Sequence, residues 1–114
     1  MKECLFCKII NGELKAEIIF ENKKIISFKD VNPQAPFHAL VVPKKHIQTL
    51  NHITEDYVNL LGELIFIASK IATNEGYSDE GYRTVFNCND MGGQTVYHIH
   101  LHILAGRKLV WPPG

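Results

Sequence analysis

Val96-Tyr97-His98-Ile99-His100-Leu101-His102-Ile103-Leu104 alternates residue by residue near the end of the chain. A β-strand turns successive side chains to opposite faces. This register therefore gives one face to His98, His100 and His102 and the other to Ile99, Leu101 and Ile103. The stretch predicts a strand over 96–104 with its apolar face on a core and its histidine face open. Moving back along the chain, Asn89-Asp90-Met91-Gly92-Gly93-Gln94 reads as a loop and Tyr82–Asn87 as a further strand. From about Thr54 to Glu75 the apolar residues fall at helical spacing: Tyr57, Leu61, Leu64, Ala68 and Ile71, with Val58, Ile65 and Ala72 beside them. Thr54 is a candidate N-cap, Glu55 and Asp56 suit the first turn, and Gly76 is a natural stop. The apolar stripe is wider than one sheet contact requires, so either the helix is sunk deep in its own core or part of it meets a partner subunit.

Nearer the start, His38–Val42 is a nearly continuous apolar strand that Pro43 ends. Asp30–Pro36 carries two prolines among turn formers and reads as a loop. Ile18–Phe20 and Ile25–Phe28 form a hairpin around Glu21–Lys24. Hairpin, strand, long helix and a final strand pair predict an α+β fold, with a mainly antiparallel sheet covered by the helix on one face.

The 114 residues fit a single domain, 1–114, and 46% apolar content allows a core without disulfides. Twelve basic and twelve acidic residues cancel. That leaves no electrostatic footprint for nucleic acid or an anionic membrane, so a bound nucleotide must be held by local donors. No signal-peptide pattern opens the sequence, the densest apolar run is far too short to span a bilayer, and three cysteines do not make a disulfide framework. A cytoplasmic location is the expectation.

Three of the six histidines lie in the alternating strand. Imidazole changes charge near neutral pH, so a neutral ring can act as a nucleophile while a neighbour donates a proton. The competing readings are a solvent-facing stripe and a metal cage. Gly92-Gly93-Gln94-Thr95, just before the first histidine, favours the nucleophile over both of these. Its glycines permit a turn whose backbone N–H groups, with an amide and a hydroxyl, face an anion. Elsewhere Cys4-Leu5-Phe6-Cys7 is a C-x-x-C pair that could be redox-active, metal-binding or inert. No strand precedes it and no helix clearly starts there, and a zinc site would need two further ligands.

The run Gly92–Leu104 resembles the signature of the histidine triad (HIT) superfamily, in which three histidines alternate with apolar residues. Phe6-x-Lys8-Ile9-Ile10, Asp30–Pro36, Pro43-Lys44-Lys45-His46 and the ending Trp111-Pro112-Pro113-Gly114 extend the resemblance to its Hint branch of purine nucleoside phosphoramidases. The resemblance implies a homodimer with five-stranded sheets and a C-terminal segment, Trp111 included, that approaches the site across the dimer. It also implies a nucleotidyl transfer. His100 would attack the α-phosphorus to form a covalent nucleotidyl-histidine, and water would release the nucleoside monophosphate. His102, Gly93, Gln94 and Thr95 would face the phosphoryl oxygens, with His38, His98 and Asn87 nearby. Asp30 would accept both ribose hydroxyls. Phe6, Ile9, Leu14, Phe28 and Val31 would hold the purine.

Many relatives pair two such cysteines with two histidines, here His46 and His98, which implies a structural zinc at Cys4, Cys7, His46 and His98 and no organic cofactor. Two departures stand out: many Hint proteins lack the cysteines, and Lys15 replaces a proline. The expected activity is hydrolysis of a P–N bond in a purine nucleoside phosphoramidate or of an acyl-adenylate, declining below about pH 6 as the nucleophile protonates. A Fhit-like dinucleoside polyphosphate hydrolase and a non-catalytic nucleotide-binding regulatory protein are the alternatives.

Overall fold

A computed structural model describes residues 3–114. Five strands form one sheet in the order β1-β2-β3-β5-β4, and every neighbouring pair is antiparallel. The expected hairpin is β1 (Ile18–Glu21) and β2 (Ile25–Lys29). Its turn closes because the Asn22 side-chain oxygen accepts from the backbone N–H groups of Lys24 (2.9 Å) and Ile25 (2.8 Å). β3 (Phe37–Pro43) is buried along its whole length, as its apolar run requires.

The long helix, α2 (Val58–Asn74), is preceded by a 3₁₀ turn over Glu55–Tyr57. Thr54 stands at the cap position of that turn, but its side chain makes no capping hydrogen bond. Gly76, at φ 91°, ends the helix, and the Tyr77 N–H bonds back to the Ala72 carbonyl. Leu64, Ile67, Ala68, Ile71 and Ala72 pack on Ile25, Phe37, Ala39, Val41, Leu101 and Ile103 of the sheet. Val58, Ile65 and Phe66 stay more than half exposed, so the stripe is indeed wider than the sheet beneath it.

Three expectations change. First, strand β5 covers Leu101–Ala105 and not 96–104; β4 (Tyr82–Phe86) pairs with it. The first half of the stretch leaves the ladder, and the Ile99 N–H bonds instead to the Ile47 carbonyl (2.8 Å). Second, a short helix, α1 (Leu5–Ile10), does begin at the C-x-x-C pair, capped by the Cys4 sulfur, which accepts from the Cys7 N–H (3.3 Å). It lies over the sheet face opposite α2, where Phe6 joins Ile26, Phe28, Leu40 and Val42 in a second core. The histidine face is therefore roofed and not open. Third, the loop over 89–94 contains a single helical turn, α3 (Asn89–Gly92), closed by Gly93 at φ 84°.

No helix among the described residues is long and apolar enough to cross a membrane.

Candidate active site

Leaving the ladder at 96–100 gives the three histidines different surroundings. His98 is fully buried (0% exposed) and its ring turns toward the start of α1 and the loop after β3. His100 stands at the entry to β5, 7% exposed, and His102 is half-buried opposite Leu40 of β3. The expectation of one shared histidine face fails for His98, because its ring is part of a separate cluster.

Hydrogen bonds to backbone groups of known polarity fix the proton on each ring. The backbone N–H of Gln34 donates to His38 Nδ1 (3.0 Å), so the His38 proton is on Nε2. That Nε2–H donates to His102 Nδ1 (2.8 Å), which leaves the His102 proton on its own Nε2. Asp30 braces the relay: one oxygen accepts from the Asn32 N–H (2.8 Å) and the other lies 3.4 Å from His38 Nε2. His100 Nδ1–H donates to the His98 carbonyl (2.8 Å), so His100 Nε2 carries a free lone pair. A lone pair on His100 and an N–H donor on His102 thus stand side by side, their ring centroids 4.9 Å apart.

Burial keeps these rings neutral. It lowers the affinity of His38 for a proton, against the opposing pull of Asp30. It pushes His102 down to about 4, with His100 and His38 adding to the effect. His100 is lowered for the same first reason, opposed by its hydrogen bond to His98 and by Asp30. Asp30, His38 and His102 lie close enough to hold a cation. Both nitrogens of His38 are already engaged, however, and the group reads better as a proton-ordering relay.

His100 and His102 open into a cavity of about 300 Å³. Phe6, Ile9, Leu14, Phe28 and Val31 supply its apolar wall, and Asp30 and Thr95 its remaining expected polar groups. Asn87, Gly93, Gln94 and Trp111 do not line it. The Gly93 and Gln94 N–H groups bond to the Asp90 and Asn89 carbonyls (both 3.0 Å). The Gln94 amide donates to the Gln48 (2.8 Å) and Val96 (3.1 Å) carbonyls and accepts from the Asn89 N–H (2.9 Å). The anion cradle expected over 92–95 is thus largely taken up by the α3 turn. Asn87 follows the end of β4, where continuing the ladder would set it opposite His100. Trp111 is 81% exposed in the C-terminal segment, which Arg83 holds through the Val110 carbonyl (2.9 Å).

Sequence reasoning missed Leu5, Lys15, Ala16, Lys29, Leu40 and Val96 in the cavity wall. Leu40 was legible, since strand alternation puts it on the same face as His38. Val96 was not, because it was assigned to a strand that does not form there. The loop over 30–36, which carries Asp30 and Gln34, is pinned by Arg107 Nε donating to the Gln34 carbonyl (3.1 Å). It runs so close to Gly106 that a Cβ there would lie 2.8 Å from the Pro36 side chain.

Beside the cavity, Cys4, Cys7, His46 and His98 bring four potential ligand atoms within 4.8 Å of one another. His98 Nδ1 is 3.4 Å from the Cys4 sulfur, 3.6 Å from the Cys7 sulfur and 3.1 Å from His46 Nδ1, and His46 Nδ1 is 3.4 Å from the Cys7 sulfur. His98 Nε2–H donates to the Pro43 carbonyl (2.7 Å), which leaves Nδ1 as the lone pair aimed at the group. Burial holds His98 down to about 4, so it stays neutral as a ligand must. Burial first, then the Cys4 sulfur, pushes the free Cys7 thiol up to about 11. A cation among these four would reverse that penalty. The cluster can bind a metal ion.

Residues 11–109 match the HIT domain family. A HIT-like protein of Synechococcus elongatus is 49% identical over 113 residues, which cover 99% of this chain and 98% of the relative. A HIT family hydrolase from Legionella pneumophila superposes with a TM-score of 0.96 at 54% identity, covering 98% of this chain and all of the other. A histidine triad protein from Clostridium difficile gives 0.93 at 42% identity, covering 96% of each chain. With the alternating histidines, the relay behind them and the five-stranded antiparallel sheet, these likenesses make the chain a member of the HIT family.

Proposed function

We propose that this protein is a nucleotide hydrolase of the Hint type that cleaves the P–N bond of purine nucleoside phosphoramidates or the corresponding bond of acyl-adenylates. The observation that carries this reading is the His100 lone pair on Nε2. It is enforced by the Nδ1–H bond to the His98 carbonyl and faces a cavity shared with a donor on His102. The apolar side chains of the lining suit a purine, and Asp30 in the same lining suits ribose hydroxyls.

In the first step His100 Nε2 forms a bond to the α-phosphorus while the bond from phosphorus to the leaving nitrogen breaks. That nitrogen leaves as an amine with a proton taken from solvent, which the attacking water of the second step returns. The His102 Nε2–H and the Thr95 hydroxyl stabilise the charge that builds on the phosphoryl oxygens. In the second step water attacks phosphorus, the P–Nε2 bond breaks, and the nucleoside monophosphate leaves with His100 restored. His38 and Asp30 touch the reaction only through His102, whose proton they hold on the outward nitrogen. His98, with its ring in the metal cluster, cannot also shuttle protons. The likeness to a Legionella HIT family hydrolase supports the hydrolytic outcome.

The same reading includes a zinc ion held by Cys4, Cys7, His46 and His98. Zinc bonds near 2.3 Å to sulfur and near 2.0–2.1 Å to nitrogen in a tetrahedron give sulfur–nitrogen separations of about 3.6 Å and a nitrogen–nitrogen separation of about 3.4 Å. The separations of 3.4–3.6 Å and 3.1 Å in the cluster fit that pattern. Bound there, the ion supplies structural cross-linking and no open coordination position. Thiol ligands suit a reducing, cytoplasmic setting. The exposed Val58, Ile65 and Phe66 on α2 support a homodimer, with Trp111 reaching the partner's cavity.

Mixing the protein with a nucleoside phosphoramidate and quenching early tests the reading. A mass gain of one nucleoside monophosphate on the peptide carrying His100 is expected. Turnover with no adduct on His100 would rule the covalent route out, and binding without turnover would leave the non-catalytic alternative. A faster rate on dinucleoside polyphosphates than on phosphoramidates would move the protein to the Fhit type.

A further inference from the structure

We propose that the Cys4–Cys7–His46–His98 cluster is the positioning device of the reaction, holding the His100 ring in its attacking orientation and closing the purine pocket. The proposal rests on the nucleotide-hydrolase reading and on metal binding at the cluster.

The backbone around the nucleophile lacks the support that its sequence leads one to expect. Regular pairing of β5 begins at Leu101, opposite Val41 and Phe86, so the carbonyl of His98 lies outside the ladder. Yet that carbonyl fixes the His100 proton on Nδ1 and the lone pair on Nε2. Outside the ladder, the peptide unit that carries this carbonyl is held by the Ile99 N–H bond to the Ile47 carbonyl (2.8 Å), and His98 itself is held through its side chain, by Nε2–H to the Pro43 carbonyl at one end of the ring and by Nδ1 in the cluster at the other. A metal bound to Nδ1 would therefore set the height and tilt of the residue whose carbonyl orients the nucleophile.

The second connection runs through Phe6. Helix α1 is six residues long, too short to persist without tertiary anchors, and both cluster cysteines are at its start. Phe6 lies between them in sequence. Its ring meets His100 edge-on at 4.9 Å (88°) and Phe28 at 5.5 Å (70°), where it forms part of the purine wall. One cross-link thus ties down both the tautomer of the nucleophile and the wall against which the base would stack. Cys4, Cys7 and His46 are positioning residues, because none of them needs to touch the reacting atoms.

The wild-type protein can be stripped with a chelator, then given zinc back. Calorimetry with AMP, steady-state kinetics on a nucleoside phosphoramidate and the ¹⁵N signals of the His100 ring supply three separate readouts. The stripped protein should keep its far-UV helical signal. It should bind AMP about tenfold more weakly and lose about 10- to 100-fold in kcat, the range found when a group that orients a site residue is removed. Its His100 signals should move from a single Nδ1–H form to a mixture of tautomers, and zinc should restore all three. Cys7→Ser should reproduce the stripped state without rescue. Phe6→Leu should keep the metal and the His100 tautomer and lose AMP affinity.

Unchanged AMP affinity with a single His100 tautomer after stripping would overturn the proposal. So would loss of the whole helical signal, since the cluster would then fasten the fold and not the site. A protein that takes up no zinc sinks this proposal and the zinc reading together, while the mass adduct on His100 would still stand or fall separately.

Discussion

The two faces of the sheet are built on opposite principles. Toward α2, cohesion comes from interchangeable apolar contacts: Ile25, Val41, Leu101 and Ile103 against Leu64, Ala68 and Ile71. Toward α1 there is an apolar patch as well, but the decisive groups are rings, each with one nitrogen fixed by a partner of defined polarity. Packing against α2 degrades gradually when a methyl group is lost. A hydrogen-bonded ring instead has two tautomers, only one of which leaves the lone pair in the cavity. Changes on the helix side should therefore read out as stability, and changes on the histidine side as rate.

The largest expected effect is on the histidine side. His100→Ala removes the nucleophile, and turnover should fall by about 10³-fold or more, while nucleotide binding and the melting temperature change little. Turnover within tenfold of wild type would erase the distinction between the faces along with the covalent mechanism. The matching experiment on the helix side is Leu64→Ala, at a side chain with no exposed surface. It should cost about 3 kcal/mol of unfolding free energy by denaturant titration, with kcat per folded molecule unchanged. A parallel loss of kcat would mean that the two faces are coupled.

The same contrast explains which parts were readable in the sequence. The hairpin, β3, α2 and β4 were legible because each depends on periodicity or on a local turn, as with Asn22 closing the hairpin and Gly76 ending the helix. His100, His102, Asp30 and the apolar wall were legible through the family resemblance. The break at 96–100 was not, because the alternation there is perfect. What overrides it is long-range: His98 is drawn to residues 52 and 94 positions away, and Ile99 pairs with Ile47. The occupation of Gln94 by backbone partners was hidden for the same reason, since its partner Gln48 is remote in sequence. Helix α1 is too short for periodicity to reveal, and its cap is a cysteine, not one of the usual capping residues.

Acidification should act on the histidine side without any mutation, and there it reaches stability as well as rate. The folded chain resists protonating His102, His100 and His38, chiefly because they are buried, whereas the unfolded chain takes up those protons near pH 6.5. Groups with lowered folded values contribute no penalty above that pH. They destabilise progressively as pH falls from about 6.5 toward the His102 value of about 4. The melting temperature should therefore fall over that interval. Activity, which needs neutral rings in the folded state, should hold below the pH 6 limit expected from an ordinary histidine and then drop. An activity midpoint at or above about pH 6.5 would contradict the burial of the relay.

The smallest effect concerns the one residue that breaks the pattern on the helix side. Ser27 is fully buried in β2, and its hydroxyl is the buried side-chain polar atom without a hydrogen-bond partner among the described residues. Strand alternation sets it on the same face as Ile25, under α2, with Phe20 and Val41 as its cross-strand partners. A hydroxyl moved from water into such surroundings without a partner costs about 1–3 kcal/mol by protein mutational data. Ser27→Ala removes that oxygen and leaves little empty space, so it should raise the unfolding free energy by about 1 kcal/mol and leave kcat untouched. A loss of stability would mean that the hydroxyl is satisfied in solution, and the helix side would then share the polar bookkeeping of the histidine side.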